Sequence, residues 1–307
     1  MSAYHAGNGV ARRLACSPLL EHDPFEPISA AVRVSVGAWS ERAIVRADND
    51  DHYLILRLAR SQETLATSLT GPMIPGRFDE AGYGMVVADG IGAGAAASRV
   101  AVTTLIHLVL HFGRWNVRID ARSASEILER IESCYGFPGG MPAGSHHIRA
   151  CPAMTMTAAY TTGDELFIAH TGRSRAYLFR DGALRQLTRD QTAEQLLDRR
   201  SRPLPVASPA EDLRRILTDA ICGRGGTARV QLARLHVLDG DSFMLCTDGL
   251  TDVVADDQIA DVLAGNRTLT DQCRSLARLA IVQGSQDTAT IVLARYCMPA
   301  GRGSVSA

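Results

Sequence analysis

No apolar run in this chain reaches the roughly 18–20 residues that a membrane-crossing helix requires. The longest, residues 101–112, is interrupted by Thr103, Thr104, His107 and His111. A formal net charge of −1 leaves no broad basic field to attract nucleic acid or an anionic membrane surface. Aromatic residues make up only 5% of the chain, Trp115 among them, too few for a base-stacking platform. Paired C-x-x-C motifs are missing. Cys16, Cys134, Cys151, Cys222, Cys246, Cys273 and Cys297 stand singly, an odd count that fits reduced thiols in a cytoplasmic protein rather than a disulfide framework. No Cys/His cluster has zinc spacing. Arg12 and Arg13 precede Leu14-Ala15-Cys16 without the ~7–15-residue apolar stretch of an export signal.

What is present is an ordinary globular composition, 46% hydrophobic and 21% charged, in 307 residues, enough to close a large single core. Residues 1–28 lack periodicity and read as a mobile leader, residues 29–296 as one folded domain, and residues 297–307 as a disordered Gly/Ser-rich tail. Val32-Arg33-Val34-Ser35-Val36 alternates with period two, as a half-buried strand does. Strand-like runs follow at 53–56 and 83–88, the second almost wholly apolar and so buried on both faces. Small residues open a helix over 93–111, a second helix is predicted at 123–134, and residues 136–153, rich in Gly, Pro and His, read as a loop.

Short strands are predicted at 154–160, 165–170, 175–179 and 184–187, with Gly163-Asp164 and Asp181-Gly182 placed for tight hairpins. Helices at 191–199 and 209–222, strands at 230–237 and 242–246, helices at 256–264 and 269–283, and a strand at 289–294 complete the pattern. Hairpins with helices grouped between them argue for an α+β fold rather than a doubly wound parallel sheet.

Chemistry concentrates in aspartates at strand ends. Asp51 precedes the run at Tyr53, Asp89-Gly90 and Asp248-Gly249 end apolar strands, and Asp287 precedes the last strand. Each Asp-Gly pair alone is a common turn former. Several carboxylates converging at a sheet edge, however, repel one another unless hard divalent cations neutralise them.

Five ordered blocks carry a resemblance. They are Arg46-Ala47-Asp48-Asn49-Asp50-Asp51; Val87-Ala88-Asp89-Gly90-Ile91-Gly92; the run from Leu166 to Leu178 with His170-Thr171-Gly172-Arg173-Ser174-Arg175 at its centre; Cys246-Thr247-Asp248-Gly249-Leu250-Thr251-Asp252; and Gly284-Ser285-Gln286-Asp287-Thr288-Ala289-Thr290. Together they resemble the motifs of the metal-dependent serine/threonine phosphatases of the protein phosphatase 2C (PPM) type, in the bacterial manner, across residues 32–294. The resemblance implies a four-layer α-β-β-α sandwich of two antiparallel sheets with a dimetal site at one end. It implies two divalent cations, Mn2+ or Mg2+. Asp89 would bridge them with the Gly90 carbonyl beside it, Asp248 and Asp287 would hold one, and Asp51, with Asp50 as a further candidate, would act directly or through water. Arg46 matches the family's phosphate-binding arginine; the alternative is a surface ion pair with Asp48 or Asp50. The implied reaction is hydrolysis of phosphoserine or phosphothreonine by a metal-activated hydroxide, with a phosphorylated protein as substrate and a serine/threonine kinase as the opposing partner.

Two positions depart from that pattern. Ile91 stands where many members carry a proton-donating histidine. Arg173 replaces an aspartate that helps hold a third, weaker cation, opposite Asp252, which is present. If Arg173 faces Asp252, it competes with that cation; if it points away, Asp252 merely caps a helix. His146 and His147 are candidate proton donors or plain polar surface. A second reading therefore stays open, a phosphatase-like binding module with weak or no turnover.

Overall fold

The computed structural model describes residues 32–66, 77–91, 95–112, 153–199, 216–222 and 229–298. The leader at 1–28, the helix at 123–134, His146 and His147, and the tail beyond Met298 lie outside the described residues.

Eleven strands and five helices follow in order among these residues: β1 (Arg33–Glu41), β2 (Asp51–Glu63), β3 (Arg77–Ile91), α1 (Ala95–Phe112), β4 (Ala153–Thr162), β5 (Glu165–Thr171), β6 (Arg175–Arg180), β7 (Ala183–Gln186), α2 (Ala193–Arg199), β8 (Ile221–Cys222), β9 (Gln231–His236), β10 (Ser242–Cys246), α3 (Asp248–Thr251), α4 (Asp256–Ala264), α5 (Leu269–Val282) and β11 (Ala289–Cys297). One sheet runs β1-β11-β10-β6-β7 and the other β2-β3-β4-β5-β9, with β8 added beside β4. All pairings are antiparallel.

The layering follows from alternation along the central strands. In β10, Phe243 and Leu245 enter the core between the sheets, while Met244 and Cys246 face the helices outside. Val292 and Ala294 of β11 point inward, Ile291 and Leu293 outward. In β3, Met85 and Val87 join the inter-sheet core, and Val86 and Ala88 pack against α1 through Ala101 and Val102. A strand covered on both faces must be apolar throughout, which is why these segments read as continuous hydrophobic runs. Fully burying each Val, Leu, Ile, Phe or Met among them contributes about 1.5–3 kcal/mol. The result is the α-β-β-α sandwich expected from sequence.

Helix α5 presents Leu269, Cys273, Leu276, Ala277 and Ala280 as one buried stripe, at spacings of three and four residues. Its N-cap Thr268 accepts a hydrogen bond from the Asp271 amide at 3.2 Å. Asp181 and Gly182, both at positive φ (51° and 79°), make the tight β6–β7 turn whose twist matches the flanking strands. Among the described residues no helix is long and apolar enough to cross a membrane.

One expectation needs correction. Residues 209–222 were expected as a helix, and positions 209–215 lie outside the described residues. Leu217 instead bridges Thr192, and Ile221 and Cys222 form a short strand paired with Met154 and Ala153. Ile221 is fully buried against Met154, Met156 and Val86. The open edge of β4 beyond β5 supplies hydrogen bonds that local helical periodicity cannot foresee. Helix α2 likewise starts only at Ala193, after Gln191 has bonded the Gly172 carbonyl at 2.9 Å and Thr192 has bridged Leu217.

His170, at the centre of the third motif, is buried and bonded on both ring nitrogens, to Thr157 Oγ1 at 2.9 Å and to the Arg189 carbonyl at 3.1 Å. Burial holds its pKa down to about 4. The unfolded chain, with an ordinary histidine near 6.5, therefore takes up a proton before the folded one. His170 contributes its full share of stability above pH about 6.5 and loses it progressively down to about 4. The stability difference between wild type and His170→Asn should shrink by an amount on the order of 3 kcal/mol across that window. Denaturant unfolding at stepped pH measures it, and a difference independent of pH would refute the neutral buried imidazole.

Candidate active site

The side-chain alternation of β3 that buries Met85 and Val87 between the sheets also carries Asp89 to the inter-sheet face at the strand's end. Asp89 lies opposite Asp51, the first residue of β2, in the antiparallel register. Both side chains are buried, 9% and 5% exposed. From the opposite sheet, Thr247 follows β10 and donates from Oγ1 to Asp51 Oδ2 at 2.7 Å. The Thr290 amide in turn donates to Thr247 Oγ1 at 3.0 Å. Asn49 accepts from the Asp51 amide at 3.0 Å and donates to Ser40 Oγ at 2.8 Å, and Ser40 meets Thr290 Oγ1 at 2.7 Å. Two sheets are thus tied together by hydroxyls gathered around one carboxyl.

Burial pushes the Asp51 carboxyl up to about 8, and the charges of Asp248 and Asp287 add to it against the hydrogen bonds of Thr290 and Thr247. Asp89 is raised well above the ordinary carboxylate range, by burial first and then by Asp248, Asp51 and Asp287. Asp248 rises to about 6 through burial, with Arg173 pulling against the rise. The charge of Asp287 thus acts on Asp51, Asp89 and Asp248 alike.

Two arginines divide the remaining charge. Arg173, in the turn between β5 and β6, is buried and places Nη2 3.2 Å from Asp248 Oδ2 and 2.5 Å from Asp252 Oδ1. Its guanidinium therefore faces Asp252 rather than pointing away. Arg46, half exposed on the β1–β2 connection, reaches Asp287 Oδ2 at 2.6 Å and the Gln286 carbonyl at 3.4 Å, with Asp50 at 3.8 Å. Among the described residues no three His, Cys, Asp or Glu side chains form a ready-made ligand cluster. Asp248 and Asp287 each have an oxygen committed to an arginine instead. The Asp248 Oδ1 oxygen is nonetheless buried with no hydrogen-bond partner, a charged acceptor that a cation would satisfy. Oxygen donors of this kind suit hard divalent ions.

The motif glycine Gly249 has a steric cause. A Cβ there would lie 2.0 Å from the Thr288 carbonyl oxygen. Helix α3 and the closing motif can therefore meet only at glycine, and Ser285 Oγ clasps the same place by donating to the Gly249 carbonyl at 2.8 Å. Cys246 next to this motif is no nucleophile, since burial pushes its thiol up to about 12. Ile91 offers no proton. The supporting hydroxyls Thr247, Thr290 and Ser40 were not singled out from sequence, although Thr247 and Thr290 stand inside the quoted motifs.

Comparison with known proteins identifies the family. Residues 76–281 match the family model described as protein phosphatase 2C. The chain is 28% identical over 270 residues to the serine/threonine protein phosphatase PstP of Mycobacterium tuberculosis, covering 84% of this chain and 44% of that protein. It thus spans less than half the length of PstP. It is 27% identical over 231 residues to the serine/threonine phosphatase stp of Listeria innocua, covering 71% of this chain and 86% of that one. A crystal structure of the PstP catalytic domain in complex with two manganese ions superposes with a TM-score of 0.61 at 24% identity, over 87% of this chain and 99% of that one. With the five motifs in order and the same sandwich around them, the chain belongs to the protein phosphatase 2C family.

Proposed function

We propose that this protein hydrolyses phosphoserine and phosphothreonine on proteins with the help of divalent cations, in opposition to a serine/threonine kinase. The observation that carries the reading is the buried Asp51–Asp89 pair with the unpartnered Asp248 oxygen nearby and Arg46 at the exposed rim. Curated relatives named as serine/threonine phosphatases support it.

Asp51, Asp89, Asp248, Asp287 and the Gly90 carbonyl would hold two ions, Mn2+ or Mg2+, with Asp50 and Asp252 as further candidates. Such ions, when bound, lower the pKa of coordinated water toward neutrality and offset charge on a phosphoryl group. Arg46 supplies a planar fork matched to phosphate oxygens, on a side chain solvent-exposed enough to exchange Asp287 for substrate. Thr247 and Thr290 hold the Asp51 carboxyl in one orientation, so it need not reorganise during the reaction.

The second reading, a binding module with little turnover, is favoured by one observation, the Arg173 guanidinium laid across Asp248 and Asp252. Hydrolysis of p-nitrophenyl phosphate with and without manganese separates the two. Manganese-dependent turnover supports the hydrolase, and its absence supports the binding module.

Asp89→Asn should abolish phosphopeptide hydrolysis while leaving the fold intact, because removing one of two facing buried carboxylates relieves repulsion in the apo protein. Activity near wild type in the folded variant would refute the role of Asp89. Arg46→Ala should raise KM and lower kcat/KM by about tenfold to a hundredfold, the value of a charge-assisted contact to phosphate, with cation affinity little changed. An unchanged kcat/KM would leave Arg46 as a surface ion pair.

Arg173→Asp should convert the Asp248–Arg173–Asp252 bridge into an oxygen-rich cluster. Calorimetric titration with manganese is expected to count one more weak site than in wild type, with faster phosphopeptide turnover at high metal. Equal site counts and equal rates in the two proteins would show that Arg173 displaces no cation.

A further inference from the structure

We propose that the cavity between the β7–α2 connection and the start of β9 is a docking subsite for an anionic side chain, carboxylate or phosphate, of the phosphoprotein substrate, with Arg189 as its cationic contact. This rests on the phosphoprotein-hydrolase reading and specifies what else that substrate carries.

The cavity measures about 470 Å³, within the range of small-molecule and side-chain pockets. Its wall contains two arginines and two aspartates, Arg189, Arg229, Asp190 and Asp219. Both aspartates are already neutralised. Asp190 is held by the Arg175 fork at 2.9 and 2.8 Å, and Asp219 by the Arg229 fork at 3.1 and 2.9 Å. Arg175 stands outside the lining, so the wall is left with one uncompensated positive charge, that of Arg189. Among the described residues the Arg189 guanidinium has neither a hydrogen bond nor an ion pair.

The backbone of Arg189, by contrast, is fixed from both sides. Its amide donates to Gln231 Oε1 at 2.8 Å, and its carbonyl accepts from the buried His170 ring at 3.1 Å. An arginine with a pinned backbone and a free head is presented at little further cost in backbone ordering. Leu187, Leu196 and Val230 add apolar surface for the stem of a bound side chain.

The cavity is connected to the carboxylate centre by a single turn. Gln191, in the cavity wall, brackets Gly172 with two hydrogen bonds: its Oε1 accepts from the Gly172 amide at 2.9 Å, and its own amide donates to the Gly172 carbonyl at 2.9 Å. The next residue, Arg173, contacts Asp248. In the proposed complex a substrate whose phosphorylated residue sits at the carboxylates places another of its anionic residues against Arg189. The attraction is electrostatic and selects among substrates by charge.

Paired fluorescent peptides carrying a non-hydrolysable phosphonate analogue of phosphothreonine, with glutamate or lysine scanned through the flanking positions, test the proposal by anisotropy with manganese present, where no turnover occurs. The full chain should bind the best glutamate peptide about tenfold more tightly than its lysine counterpart, one charge-assisted contact in size. Arg189→Gln should bring that ratio close to one, and Arg189→Glu should invert it. Substituting the phosphonate analogue of phosphoserine for the flanking glutamate shows which anion fits better. A glutamate-to-lysine ratio unaltered in both variants overturns the subsite. So does a loss of inorganic phosphate binding in Arg189→Gln with the peptide ratio unchanged, which would make the occupant a free anion. Failure of manganese-dependent phosphate release in the wild type would instead refute the hydrolase reading, while the binding ratio still decides the role of Arg189.

Discussion

Asp51 and Asp89 face each other at the end of a sandwich, in the space between two sheets where water cannot solvate both charges. Burial, with the charges of Asp248 and Asp287 beside it, drives Asp51 up to about 8. A fold that spends its inter-sheet core on Met85, Val87, Phe243 and Leu245 has no structural use for two carboxyls there. Their presence makes the surrounding arrangement intelligible. Thr247 and Thr290 cross from the other sheet to orient Asp51, Gly249 allows α3 to close against the last motif, and Arg173 and Arg46 balance Asp248 and Asp287.

The two arginines stand in different circumstances. Arg46 is part exposed, so exchanging its carboxylate for another anion costs little, as for surface ion pairs generally. Arg173 is buried, and removing either partner would leave an uncompensated charge in a poorly solvated place. One is suited to meet substrate, the other to set the charge of the centre permanently. The same turn that carries Arg173 is fastened to Gln191, which lines the Arg189 cavity.

Much of this was legible in the sequence, for identifiable reasons. The runs at 83–88, 242–246 and 289–294 are apolar because both faces are covered, and Asp181-Gly182 turns because both residues tolerate positive φ. Asp89, Asp248 and Asp287 announced themselves by flanking those strands, and Asp51 by preceding the run at 53–56. What local pattern could not supply was contact between distant residues. The pairing of Arg46 with Asp287 spans 241 positions and that of Thr247 with Asp51 spans 196. Nor could helical periodicity near Ile221 reveal that the edge of β4 was waiting for a strand. The direction of Arg173 was similarly open until the β5–β6 turn placed it over Asp252.

The most direct measurement is a crystal structure of the protein prepared with manganese, with ions located by anomalous scattering. The account predicts two peaks enclosed by Asp51, Asp89, Asp248 and Asp287, with Arg46 released from Asp287. Peaks elsewhere, or a manganese-free centre in which both arginine–aspartate pairs persist, would contradict it.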